Sequence, residues 1–204
     1  GTSNFRAGVN AGNSITSGGD FNVVVGDEAG TALTTADKNV AIGYQALATE
    51  TGGYLNIAIG AGALQNQNGA YYNVAVGHEA GNDITTGLNN TLIGALAGDA
   101  ITTGGNNTSV GFTSGSKITT GTRNVALGAY ANQEGTTGDD NTYVGYAAGA
   151  ATTTSSNNTA VGKSAMAANT TGASNVAVGA FALDANTTAS NNTSVGFLAL
   201  SANT

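Results

Sequence analysis

The chain has a single imidazole, His78, and no cysteine. Disulfides and thiolate chemistry are therefore excluded. A Ser-His-Asp arrangement would rest on His78 alone, where unrelated residues stand in neighbouring segments, so a solvated surface histidine is the better reading. Asp83 and Asp99, and the adjacent Asp139 and Asp140, are the acid pairs. Paired carboxylates can hydrolyse glycosides or, with further oxygens, bind Ca2+. Scattered surface acids produce such pairs without any function, and the Gly-Gly-x-Gly-x-Asp core of calcium-binding rolls is absent. The stretch GAGAL (60–64) lacks the Lys of a phosphate loop. No catalytic residue, metal site or cofactor is expected. The chain reads as non-enzymatic.

What must position any functional side chain is a repeat. Asn recurs at Asn22, Asn39, Asn56, Asn73, Asn90, Asn107, Asn124, Asn141, Asn158, Asn175 and Asn192, always seventeen residues apart, and a Gly stands four residues after each. An irregular first coil over 1–21 precedes eleven such units over 22–204, the last incomplete, in one continuous array. Counting each unit from its Asn, position 4 is Val, Ile or Leu, position 2 is Val, Ile or Thr, and position 8 is Ala except at Ser114. Asn73, Val76, Gly77 and Ala80 represent these structural columns in the fourth unit.

Positions 2 and 4 share a face only in a strand, where side chains alternate with period two. A five-residue strand closed by a Gly corner, repeated every seventeen residues, predicts an all-β, parallel β-solenoid with one coil per unit. The Asn column is expected to stack into an amide ladder, and the Gly at most position 15s marks a second corner. Positions 2 and 4 are expected to line the interior. Position 3 would then face outward, yet it carries no charge in any unit. Such a surface asks for a cover, so a homo-oligomer along the rod axis is expected, with threefold cyclic symmetry.

Charge narrows the partners. Five Lys and Arg stand against twelve Asp and Glu, for a net charge of −7, which disfavours nucleic acid and anionic membrane surfaces. No apolar run approaches the roughly 18 residues of a membrane span, and the opening GTSNFRAGVN has no signal-peptide pattern.

The segments NVAVGHEA (73–80), NVAIGYQA (39–46) and NTAVGKSA (158–165) resemble the head repeats of trimeric autotransporter adhesins, the YadA-like heads. The longer form with Thr-Thr-Gly-x-Asn is similar to repeats of phage tail fibres and large bacterial surface proteins. The resemblance implies a left-handed β-roll, three chains side by side, used as an adhesive or spacer segment at a cell surface or on a virion tail. It implies that the Val76 column lines the roll, that Gly77 marks its corner and that the Ala75 column faces the trimer. The unit here is longer than the usual head repeat, and the sequence holds no heptad stalk, neck or C-terminal barrel.

Two columns offer binding chemistry. The corner at positions 6 and 7 carries Tyr44, Phe112, Tyr130, Tyr146, Phe181 and Phe197 among unrelated residues. Aromatic rings there can stack on a host-cell glycan or dock on a surface protein. Thr fills position 13 in every unit but one, where Asn68 stands. A flat outward Thr array suggests ice binding, whereas the Gly that follows suggests a turn and a structural hydroxyl ladder. An adhesive or spacer fibre segment is the leading expectation. An ice-binding solenoid and a carbohydrate-cleaving tail spike are the alternatives.

Overall fold

The computed structural model describes residues 3–202. Each unit makes one turn of a parallel β-solenoid and contributes one three-residue strand at positions 2 to 4. The first is β1 (Phe5–Ala7), followed by β2 (Val23–Val25); the fifth is β5 (Val74–Val76) and the last β12 (Thr193–Val195). The twelve strands form one parallel sheet in chain order. Pairing is always like with like, as in Val74↔Thr91, Ala75↔Leu92 and Val76↔Ile93. At about 4.8 Å per rung the rod is roughly 50 Å long. No helix occurs among the described residues. The irregular first coil joins the same sheet, because Asn4 takes the ladder position and its Oδ1 accepts the Asn22 N–H at 2.7 Å. Arg6 stands there at the small-residue position 3, and its guanidinium donates to the Gly12 carbonyl at 2.9 Å.

The faces of the strand are the reverse of the sequence expectation. The middle residue is buried in the eleven regular strands: Val24, Ala41, Ala58, Ala75, Leu92, Ala126, Tyr143, Ala160 and Ala177 are all fully enclosed, and only Arg6 of β1 is exposed. The flanking residues are the exposed ones, with Val74 and Val76 half-buried and Ile57 and Ile59 open to solvent. The Val76 column therefore points out of the roll, and the Ala75 column fills it. The physical reason is room. A seventeen-residue coil encloses a narrow interior, and positions 9 and 12 already fill it with Leu, Ile or Met in many coils, which leaves room mostly for small side chains at position 3. Hydrophobicity suggested the wrong face, whereas side-chain volume identifies the right one.

The interior is completed by positions 8, 9 and 12, and in most coils positions 3, 9 and 12 trade bulk with one another; the coil of Ala126, Asn132 and Gly135 holds less. Where position 9 is Gly, position 12 or 3 is large: Gly81 with Ile84, Gly98 with Leu92 and Ile101, Gly149 with Tyr143. Where position 9 is Leu or Met, position 3 is Ala and position 12 is polar: Leu47 with Glu50, Leu64 with Gln67, Met166 with Asn169, Leu183 with Asn186. A Cβ on Gly149 would lie 2.4 Å from the Tyr143 ring. The Tyr143 hydroxyl sits among Thr152, Ser155 and Asn158 without a well-formed hydrogen bond, and burial pushes the phenol up to about 12.

The buried Asn column couples the coils. The Oδ1 of each Asn accepts the backbone N–H of the next, as from Asn73 to Asn56 at 3.0 Å and from Asn90 to Asn73 at 2.9 Å. The Nδ2 reaches the position-15 carbonyl, as from Asn73 to Gly87 at 2.7 Å. Gly77 is required at its corner twice over, with φ at 144° and a site where a Cβ would lie 2.5 Å from the Gly94 carbonyl oxygen. Gly87 is not a positive-φ corner as expected. A Cβ there would instead point into the next coil, 2.3 Å from the Gly104 oxygen.

Two expectations follow. In Asn107→Ala, the Asn124 N–H loses its acceptor inside the rod, so chemical denaturation should report a loss of about 2–3 kcal/mol. Tyr143→Ala alone should cost about 3–5 kcal/mol. Adding Gly149→Met and Thr152→Asn copies the Ala160, Met166, Asn169 set of the following coil, and should recover all but about 1.5 kcal/mol.

Candidate functional site

The corner aromatics fall into three groups. Phe112, Tyr130 and Tyr146 form a continuous edge-to-face chain across three coils, with both centroid separations 5.6 Å. Phe181 and Phe197 make a second pair at 6.4 Å, and the Lys163 ammonium lies 5.3 Å from the Phe181 centroid, within cation–π range. Tyr44 stands apart on an earlier coil. Tyr44, Phe112, Tyr146 and Phe197, at position 6, are exposed. Tyr130 and Phe181, at position 7, are half-buried because a left-handed backbone, with φ at 61° and 58°, lays them against their neighbours. The rings therefore cover one another and also leave open faces along one corner of the rod.

A second aromatic group was not singled out in the sequence. Tyr54 and Tyr71, both at position 16, stack with centroids 5.0 Å apart and an interplanar angle of 8°. Tyr72 stands nearly perpendicular to both, at 5.8 and 5.3 Å. The signal was available: the same two units that carry these tyrosines also replace Thr at position 14 by Gly52 and Gly69, and carry the long polar side chains Glu50 and Gln67 at position 12. Several columns change together there.

These changes are physically linked. Glu50 is fully buried, and its carboxylate accepts N–H bonds from Gly52 at 3.1 Å, Gly53, and Gly69 at 2.8 Å. The Gln67 amide donates to its other oxygen at 3.0 Å, and Asn73 donates to Gln67 at 2.8 Å. A buried carboxylate with four donors is well satisfied. Its bonds hold the backbone immediately before Tyr54 and Tyr71.

The remaining candidates are structural. Asp139 accepts from the Thr122 backbone and hydroxyl, at 2.7 and 2.8 Å. Asp140 pairs twice with Arg123, at 2.6 and 2.9 Å, which holds its carboxyl below the usual range. His78 is exposed, with Nδ1 3.8 Å from the Glu79 carboxylate. The position-13 hydroxyls donate to the carbonyl of the next coil, for example Thr85 to Thr102 at 3.1 Å and Thr136 to Thr153 at 3.1 Å. They make a ladder along the rod. Among the described residues no enclosed cavity is present, and no group of three or more His, Cys, Asp or Glu is placed to hold a metal ion.

Asp99 is perturbed in the opposite direction to Asp140. Burial comes first among the causes, then the nearby charges of Asp83 and Glu79, and together they raise it from 3.8 to about 6. Its Oδ1 is buried without a partner. The folded chain thus holds this proton more tightly than the unfolded chain. The group favours folding below about pH 4, and that contribution is lost as pH rises through 6. Because the carboxyl is only half-buried, the loss should be about 1 kcal/mol. Thermal melts of the wild type should accordingly fall between pH 4 and 6.5 relative to Asp99→Asn, which lacks the titrating group.

No family model, curated protein or solved structure matches the chain, so its role has to be argued from the rod and its surfaces.

Proposed function

We propose that the chain is a non-enzymatic structural and adhesive segment of an extracellular fibre, a left-handed roll that packs side by side with two further copies of itself. This is the role of YadA-like heads and related tail-fibre repeats. The observation that carries the reading is the outward strand face. Positions 2 and 4 present Val, Ile, Leu and Thr on every regular rung, with no charge among them, and Ile57, Ile59, Ile93, Val161, Val176, Val178 and Val195 are exposed.

A face about 10 Å wide and 50 Å long covers roughly 500 Å2. That is the scale at which exposed apolar area marks a contact surface. Its side chains repeat with the rung spacing along the whole rod, so a partner that fits every rung must have the same period and length. Another copy of the chain satisfies this. Closed symmetry buries the face completely, and a threefold axis along the rod lets all three copies share one core. The corners at positions 6 and 7 then remain outside, repeated three times, and weak contacts gain strength through avidity.

Light scattering on the purified chain of 19.8 kDa should give about three times that mass. The double variant Ile59→Asp, Val76→Asp, with both changes on the outward face, should stay folded by circular dichroism and run as a monomer. A folded wild-type monomer would remove the basis for the fibre.

A further inference from the structure

The two coils that depart from the repeat in concert build a surface feature of their own. Position 14 is Thr in the coils on either side, at Thr35 and Thr86, and Gly at Gly52 and Gly69. A Cβ on Gly69 would meet nothing within 4 Å, and one on Gly52 only the Thr35 hydroxyl at 3.6 Å. Gly69 needs its glycine for a φ of 77°. Neither backbone nor packing requires one at Gly52. What the glycine does there is leave space.

The result is an open shelf two rungs tall, about 10 Å, floored by glycine backbone. Position 15 is buried at Gly53 and Ala70, whereas positions 14 and 16 are exposed at Gly52, Gly69 and Tyr54 and half-buried at Tyr71. The tyrosine cluster therefore stands beside the shelf, with Tyr72 49% and Tyr54 39% exposed. On the other side Asn68 accepts the Thr51 hydroxyl at 2.7 Å, and its NH2 group has no acceptor among the described residues. The rim thus offers hydroxyl and amide groups. The carboxylate of Glu50 lies underneath, consumed by its four donors, and holds the floor in place.

We infer that this shelf, formed by Gly52, Gly69, Tyr54, Tyr71, Tyr72 and Asn68, binds a neutral hexose-containing glycan. Open aromatic rings beside neutral hydrogen-bonding groups match the apolar face and hydroxyl rim of a pyranose. Two rungs fit one or two sugar rings and fall well short of the roughly 800 Å2 per partner of a stable protein interface. The net charge of −7 disfavours acidic polymers. The left-handed corner at position 17, with φ at 58° in Leu55 and 62° in Tyr72, turns the chain between the shelf and the strand face, with Tyr72 on the turn. The assignment rests on reading the rod as an attachment segment, and names its ligand class and one of its sites.

The test is binding of the intact chain to arrayed neutral hexose oligosaccharides, with polygalacturonate and heparin as acidic controls. The wild type should bind neutral members. Tyr72→Ala should weaken binding at least tenfold, and so should Gly52→Thr, which fills the shelf with the residue of the neighbouring coils and should melt like the wild type. Lys117→Ala, which removes an exposed ammonium paired with Glu134 several coils away, should bind normally. Binding to none of the neutral sugars, or undiminished binding by both shelf variants, overturns the proposal. So does a change in solution mass in Tyr72→Ala without a change in sugar binding, because the patch is then a subunit contact. In each of these cases light scattering on the wild type still decides the side-by-side rod separately.

Discussion

The buried Asn ladder is the constraint on which the rest of the rod depends. Each coil buries a side-chain amide whose oxygen takes the N–H of the next Asn and whose nitrogen takes a carbonyl at position 15. Both bonds lie in the interior, where an unmet polar group costs more than a met one contributes. A slip of one residue would break them and also turn every strand side chain to the opposite face. The regular units accordingly contain no insertion or deletion. Where a neighbouring polar side chain competes, the ladder adapts rather than fails. Asn169 takes the Gly172 carbonyl at 2.9 Å, and Asn158 turns instead to the Ser155 hydroxyl at 3.0 Å.

Fixing the register also fixes the interior cross-section. With backbone on every side, residues 3, 9 and 12 of most coils divide a narrow interior between them. Tyr143 beside Gly149 and Ala160 beside Met166 are two solutions of one packing problem. The β-branched residues of positions 2 and 4 find no room beside the side chains of positions 9 and 12, so they stand outside. The outward apolar stripe is thus a geometric consequence of a thin roll, and the proposed side-by-side packing would give such a roll a wide core.

Much of this was legible in the sequence. The unit length, the parallel stacking, the Gly corner at position 5 and the Asn ladder follow from spacing alone, since period and residue type leave few alternatives. The inward face was not. Ala75 between Val74 and Val76 suggests a small exposed residue between two core residues if hydrophobicity decides, and the opposite if volume decides. Only the coil diameter tells which. The exposed tyrosine cluster was missed for a related reason. Tyr54, Tyr71 and Tyr72 follow positions that vary, and their meaning depends on Glu50 and the two glycines, which contact one another through the fold rather than through adjacent sequence.

In a repeat protein, variation in one column carries little information, because a solvated corner accepts almost any residue. Asp27, Tyr44, His78 and Lys163 all occupy position 6. Simultaneous departure in several columns is different, because each change has its own cost. A carboxylate is buried, two glycines lower the chain's conformational restriction, and exposed aromatics add apolar surface. The first is neutralised by the hydrogen bonds that the glycine N–H groups supply. Folding likewise accounts for Gly69 through its positive φ and for part of the tyrosine surface through ring stacking. The glycine at Gly52 and the outer ring faces are what the proposed glycan contact would account for.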